Sequence, residues 1–300
     1  MKEEQMRRFG MAGVCLAVGA AFAAFLVPSA SAGTLPALFE CVKAKTEVVK
    51  YEKKGKIVEK TVFTGEYKEK KCKKKDTTDK FRKLGEHPGP EGKYELQEFA
   101  KASAPFKGTG KGANLEAEGI GGVSCTGSTV TGKFTGPKTA GDIVATFTGC
   151  EFNGRKCASS GAPLGTIVTD PLTGSVGYLE GKGTGSPKVG TDVKPESGEV
   201  LGKFACKEED LAASGSVIGE VSPVNTFTKK ATFAFKQKAI GVQQWEKFEE
   251  GVKDTLLAGL CEECSNPLEP GSGQVQARAS EETTVVGELT TAGEELEVKA

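Results

Sequence analysis

Eight cysteines distributed over most of the chain are the feature that most restricts its fold. Cys15 lies in an N-terminal apolar segment, and the other eight follow it: Cys41, Cys72, Cys125, Cys150, Cys157, Cys206, Cys261 and Cys264. An even number of cysteines in an exported chain is typical of a disulfide framework. Eight cysteines allow many pairings, so their spacing has to be used to choose among them.

The shortest spacing around a turn predicts one bridge. Cys150 and Cys157 flank Asn153-Gly154, a dipeptide typical of tight β-hairpins. A hairpin there would bring the flanking cysteines together, so we expect a Cys150–Cys157 disulfide. With Cys41–Cys72 and the local pair Cys261–Cys264 set aside as discussed below, Cys125–Cys206 remains as the long-range pair.

A second bridge is expected in the Lys-rich N-terminal part of the chain. Cys41 and Cys72 enclose a segment with little apolar content, which has few side chains to form a core. The loop-entropy model assigns such a bridge about 3–4 kcal/mol of stability.

Cys261-Glu-Glu-Cys264 allows three interpretations. A local disulfide at a turn is the one we favour. A redox dithiol needs a stabilised thiolate, and two intervening glutamates disfavour the negative charge on sulfur. Half of a zinc site would need a second CxxC or a His pair, which the sequence lacks. We therefore expect no metal and no cofactor.

The first 32 residues read as a secretory signal peptide. Lys2, Arg7 and Arg8 precede an apolar run over residues 9–27, and Pro28-Ser-Ala30-Ser-Ala32 supplies the small residues of a cleavage site. Cleavage after Ala32 would leave about 268 residues, enough for one large or two small domains. The alternative is an uncleaved anchor, because the run is long enough to span a bilayer. We expect a secreted or extracellular cell-surface protein with no membrane contact after cleavage.

Charge is unevenly distributed along a chain with no net charge. Residues 42–83 carry 16 basic and 7 acidic side chains, whereas residues 246–300 carry 4 basic and 13 acidic ones. The basic segment could contact anionic cell-envelope polymers, face the acidic end, or be a solvated hairpin. Export and the few aromatic residues in this segment argue against nucleic acid.

Short β-forming segments separated by Gly, Pro, Asn or Asp predict an all-β fold. We divide the mature chain into a Lys-rich cysteine-hairpin segment (33–105) and a β-sandwich-like domain (106–300). The expected class is a disulfide-stapled sandwich or barrel-like domain with a small N-terminal β-hairpin segment. The expected strands are Thr46–Tyr51, Lys56–Tyr67, Ala113–Glu118, Asp142–Phe147, Gly165–Thr169, Ser175–Leu179, Glu199–Phe204, Gly215–Val221, Thr228–Lys236, Gln274–Leu289 and Glu295–Lys299. Residues 242–260 fit either strands or an amphipathic helix, and we favour strands.

The stretch Gly127–Thr135, GSTVTGKFT, has most of a P-loop pattern. It lacks the Ser or Thr that ligates magnesium, because Phe134 follows Lys133. Gly136-Pro137 would also stop the helix that such a loop must open. We interpret this stretch as a glycine-rich turn between strands, and we interpret Gly108–Gly112 and Gly181–Gly185 in the same way.

Several short motifs resemble a group of secreted bacterial β-rich proteins with a cysteine-hairpin N-terminal segment. They are Gly65-Glu-Tyr67, Cys72, Gly92–Leu96, Lys133–Thr139 and Glu294–Ala300. The similarity extends over most of the mature chain. It implies export and a β-rich fold, and it supplies no active-site residues, because that group has no assigned activity.

No catalytic constellation stands out. His87 is the single histidine, and it lies in a Pro-Gly loop without a GxSxG motif elsewhere. Acids near predicted strand ends are Asp170, Glu180, Asp192 and Glu199, but nothing marks two of them as a pair.

Three functional hypotheses follow from these observations. The first is a structural or adhesive binding protein of the cell surface or extracellular matrix. The second is a secreted carboxylate-dependent hydrolase of the glycosidase type, and the third a redox or metal module at Cys261 and Cys264.

Overall fold

The computed structural model describes residues 36–77, 90–100, 103–260, 276–288 and 296–300. These residues form strands joined by turns, with no helix among them. The predicted all-β, disulfide-stapled class is therefore confirmed. The signal segment, His87, Cys261 and Cys264 lie outside the described residues.

Twenty-two strands are described. The N-terminal part contains β1 (Ala37–Lys43), β2 (Thr46–Lys53), β3 (Lys56–Phe63) and β4 (Tyr94–Glu98). The middle contains β5 (Ala104–Ala117), β6 (Gly121–Cys125), β7 (Gly127–Phe134), β8 (Thr139–Thr148), β9 (Glu151–Phe152), β10 (Arg155–Lys156), β11 (Thr166–Val168), β12 (Leu172–Glu180) and β13 (Lys188–Pro195). The remainder contains β14 (Val200–Cys206), β15 (Glu209–Ser214), β16 (Val217–Ser222), β17 (Lys230–Phe235), β18 (Gln237–Ala239), β19 (Val242–Gln243), β20 (Leu257–Leu260), β21 (Gln276–Glu288) and β22 (Leu296–Lys299).

The largest sheet surrounds the apolar interior. Its antiparallel path runs β5-β7-β8-β12-β13-β16-β17-β21, and β21 also pairs with β5. Because the last strand of this run bonds to the first, the eight strands share one inner face. Side chains alternate between the two faces, as period-two geometry requires: Ile143 and Ala145 are buried in β8, whereas Asp142 is exposed.

The N-terminal segment packs against this interior rather than apart from it. β1 lies between β22 and β4 in a three-stranded sheet. Leu38 of β1 donates its backbone N–H to the Pro137 carbonyl at 2.7 Å. Leu38 and Phe99 also share a hydrophobic cluster with Phe134 and Tyr178. The first strand and its neighbours therefore cover one end of the interior.

The predicted Lys-rich hairpin is present as β2 and β3. Its two-residue turn is Lys54-Gly55, with φ of 54° and 74°, the left-handed values that a type I′ hairpin needs. Val49 and Val62 bury each other, while Ile57 is 78% exposed. The hairpin thus has little core of its own.

The stretch GSTVTGKFT is a strand, so its interpretation as a turn was wrong. Residues 127–134 form β7 and pair with β5 and β8 along their length. A Cβ on Gly132 would lie 2.6 Å from the Phe106 ring, so this glycine allows an aromatic side chain to pack over the strand. Gly108–Gly112 likewise lies within β5, whereas Gly181–Gly185 is a turn as expected.

One of the disulfides predicted from the sequence is present, and two of the predicted pairs are replaced by others. Cys41 bonds to Cys72 as expected, but the other bridges are Cys125–Cys150 and Cys157–Cys206. The expected Cys150–Cys157 and Cys125–Cys206 pairs are wrong.

Pairing with neighbouring strands explains why Cys150 and Cys157 bond to other cysteines and not to each other. The Asn153-Gly154 hairpin forms as β9 and β10, but β9 also pairs with β6, in a register that continues to Cys125 opposite Cys150. A bridge between Ala158 and Ala205 places Cys157 beside Cys206 in the same way. The β9–β10 hairpin is therefore linked by one disulfide to β6 and by another to β14, and its two flanking cysteines do not bond to each other.

The ambiguous segment 242–260 contains no helix. It comprises the short strands β19 and β20, with irregular backbone between them. Phe248 from this irregular part is 2% exposed and packs where Gly177 leaves room on β12. The segment therefore covers part of the outer face of the large sheet.

Candidate functional site

The interior contains an apolar cavity of about 200 Å³ that is partly open to solvent. Its wall is built from the inward-facing residues of the large sheet, together with Leu38 of β1 and Leu256, which directly precedes β20. The apolar side chains of the wall are Leu38, Phe106, Ala113, Leu115, Val123, Cys125, Val130, Phe134, Ala140, Ile143, Ala145, Phe147, Ile167, Leu172, Val176, Val193, Leu201, Phe204, Ala213, Val217, Phe233, Phe235 and Leu256.

Small residues on the inner face leave this space open. The interior of a sheet that closes on itself through eight strands is ordinarily filled by large side chains. Here several wall positions carry only a hydrogen or a methyl group: Gly108, Ala113, Ala140, Ala145, Gly174, Gly202 and Ala213. An apolar cavity of about 150 Å³ can stay dry and take up a molecule the size of benzene. The cavity therefore suits a compact apolar molecule.

The wall has few polar side chains, and most of them form hydrogen bonds with other groups of the protein. Ser124 donates to Asn114 Oδ1 at 3.0 Å, and the Ala145 N–H donates to Thr169 Oγ1 at 3.0 Å. Thr135 donates to Thr139 Oγ1 at 2.9 Å. These groups cost little to bury because each has a partner.

Lys138 is the one charged side chain among the described residues of the wall. It lies in the turn between β7 and β8 and is half-buried. Its own carbonyl accepts from the Val176 N–H at 3.1 Å, and the preceding carbonyl, of Pro137, accepts from Leu38. Hydrogen bonds from β1 and β12 therefore fix the backbone of the turn that carries the Lys138 side chain.

Of the acids singled out by the sequence, three lie on the surface and one is buried away from the cavity. Asp170, Glu180 and Glu199 are exposed, and Glu180 pairs with Lys188 at 2.8 Å. Asp192 is only 3% exposed. The side chains before and after it, Thr191 and Val193, line the cavity, so Asp192 points to the opposite face.

Burial raises the pKa of the Asp192 carboxyl above its ordinary value, although a hydrogen bond from Ser216 and the charge of Lys194 act in the opposite direction. Its Oδ1 has no hydrogen-bond partner. A raised pKa is one property of a general acid. The described surroundings, however, place none of the other three acids beside it in a shared cavity.

A second candidate surface is the Lys-rich surface formed by the β2–β3 hairpin and the following residues to Lys75. The lysines described there are exposed: Lys45, Lys50, Lys53, Lys54, Lys56, Lys60, Lys68, Lys70, Lys71, Lys73, Lys74 and Lys75. Lys50 pairs with Glu59 and Lys68 with Asp76, both at 3.2 Å. The Cys41–Cys72 bridge fixes this surface to β1.

Comparison with known proteins gives no assignment. No protein-family model matches the chain, and neither the curated proteins nor the solved structures contain a significant match. The described part of the chain contains no helix that could span a membrane. Within the same residues, no group of three or more His, Cys, Asp or Glu side chains could hold a metal ion. The three disulfides indicate an oxidising compartment.

The sequence analysis missed the cavity. A partial signal was available, because several strands carry small residues at positions that line the cavity, such as Gly108, Ala145 and Gly174. Which face of each strand points inward depends on pairing between distant segments, and that is not readable from spacing alone.

Proposed function

We propose that this protein is a secreted, non-catalytic binding protein that holds a small apolar molecule in its central cavity. The observation that carries this proposal is the cavity itself, of about 200 Å³ and lined almost wholly by apolar side chains. Ligand sites are typically concave and apolar with few polar groups. The signal-like N-terminus and the disulfides support export.

The cavity favours binding over hydrolysis. A carboxylate-dependent hydrolase needs two acids flanking the scissile bond. None of Asp170, Glu180, Asp192 or Glu199 is in the described wall, and Asp192 points to the other face of β13. The wall can hold a molecule by apolar contact, which is what a binding protein requires.

Titration calorimetry with octanol tests this proposal. Wild type is expected to bind one octanol per chain. Ala145→Leu adds three carbon atoms to the wall and should exclude about two methylene groups of the ligand, which costs about 1.6 kcal/mol, or about tenfold in affinity. Ala213→Leu fills the same space from β15 and provides an independent second variant.

The control is Thr129→Leu, which adds an apolar side chain to the exposed face of β7. It should leave the affinity for octanol unchanged. If wild type binds no octanol, or if folded Ala145→Leu and Ala213→Leu bind it as tightly as wild type, the cavity is not a ligand site.

The Lys-rich surface supports a second part of the proposal, contact with anionic cell-envelope polymers. Its lysines are exposed on a hairpin that buries little apolar surface. Binding between exposed charges is screened by salt, with a Debye length of about 8 Å at physiological ionic strength. Binding to isolated anionic envelope polymer should therefore weaken strongly as salt rises. Binding that does not change with salt would contradict an electrostatic contact.

A further inference from the structure

We propose that the cavity selects an anionic amphiphile, a monocarboxylate of medium chain length whose head group is bound by Lys138. This inference rests on the proposed function and adds the chemical class of the ligand. It starts from an unequal distribution of charge in the wall. Among the described wall residues, the side chain of Lys138 is charged and the rest are apolar or uncharged.

The position of Lys138 suits a head group. It lies at the end of the cavity formed by Leu38, Phe134 and Val176, where β1 covers the interior. Its side chain is half-buried, so the ammonium group can reach both the cavity and solvent. A ligand with its chain among the apolar residues would have its polar end at this rim.

Lys138 is also available to a ligand. No described carboxylate forms an ion pair with it, whereas the neighbouring Lys133 is paired with Asp142. A lysine ammonium group has three donors and no acceptor, and it pairs well with a carboxylate. Its backbone is fixed by the hydrogen bonds from Leu38 and Val176 to this turn, so binding would have to order the lysine side chain but not the turn that carries it.

The volume limits the length of the chain. Because a cavity of about 150 Å³ accommodates benzene, one of about 200 Å³ should take an alkyl chain of about eight carbons. Octanoate and octanol are therefore suitable probes, since they share a chain and differ in the charge of the head group.

Titration calorimetry at pH 8 and low salt, with both probes and the full exported chain, tests the inference. Wild type is expected to bind octanoate about tenfold more tightly than octanol, as one charge-assisted contact allows. Lys138→Gln should bind octanoate about tenfold more weakly and octanol unchanged. Lys138→Arg, which keeps the charge, should retain most of the preference for octanoate.

Lys107→Gln is the matched control, because Lys107 is an exposed lysine of β5 that does not line the cavity. Equal affinity of wild type for both probes overturns the inference while the proposed function stands. The same holds if Lys138→Gln weakens both probes alike, or if Lys107→Gln weakens octanoate as much. Failure of wild type to bind either probe overturns the proposed function itself.

Discussion

Replacing Cys150 and Cys157 together by alanine is expected to remove two disulfides and to lower the free energy of unfolding by about 7–8 kcal/mol. The two cysteines belong to different bridges, Cys125–Cys150 and Cys157–Cys206, which span 25 and 49 residues. Loops of these lengths contribute about 3.5 and 4 kcal/mol in the loop-entropy model. Replacing Cys125 and Cys150 together removes one bridge and should cost about half as much.

Urea unfolding of the two double variants measures this difference, and thiol titration after denaturation identifies its cause. Cys150→Ala/Cys157→Ala should expose two more thiols than wild type, those of Cys125 and Cys206. Cys125→Ala/Cys150→Ala should expose none beyond wild type. The opposite thiol counts would mean that Cys150 bonds to Cys157, and the strand pairing described above would then be incorrect.

Gly215→Ala is expected to lower the free energy of unfolding by about 3–5 kcal/mol, the sum of backbone strain and overpacking. Gly215 lies between β15 and β16 with φ of 88°, a left-handed value that alanine adopts at a cost. A Cβ there would also lie 2.7 Å from the carbonyl carbon of Thr255 and closer still to its oxygen. Backbone atoms at that distance have to move.

Gly183→Ala is the matched control for this prediction. Gly183 has φ of 77° in the turn between β12 and β13, and no atom lies within 4 Å of its ideal Cβ. It should show the conformational cost alone, about 1–2 kcal/mol. Equal losses in the two variants, measured by urea unfolding, would contradict the close packing at Gly215.

The consequence of Gly215→Ala should extend to the cavity. Ser216 donates its N–H to Thr255 Oγ1 at 3.0 Å. Leu256, which follows Thr255 in the chain, lines the cavity. Displacement of Thr255 would therefore move Leu256 as well. A loss of octanol affinity in this variant, but not in Gly183→Ala, is the expected accompaniment.

Local features of the sequence predicted the elements that depend on local geometry. Asn153-Gly154 forms the expected hairpin turn, with φ of 51° and 75°. The Lys54-Gly55 turn also lies within the predicted hairpin, whose second strand ends at Phe63 rather than Tyr67. In both cases two adjacent residues determine the outcome, because left-handed backbone restricts the residues that can occupy a turn.

Features that depend on distant segments could not be predicted in this way. The bridge partners of Cys150 and Cys157 follow from pairing with β6 and with Ala205, which are remote in sequence. Gly132 of β7 marks close packing by Phe106 and not a turn. The cavity depends on the pairing of β21 with β5, more than 150 residues apart in the chain. Periodicity shows that two faces exist, but not which one is enclosed.

The central claim is that the cavity is a ligand site, and a crystal structure with ω-bromohexanoate tests it most directly. Anomalous scattering locates the bromine independently of the protein model. One bromine peak is expected inside the cavity, among Ala145, Ala213 and Phe235, with the carboxylate within about 3 Å of Lys138 Nζ. Bromine peaks confined to the protein surface, or a cavity occupied by ordered water, would contradict the account.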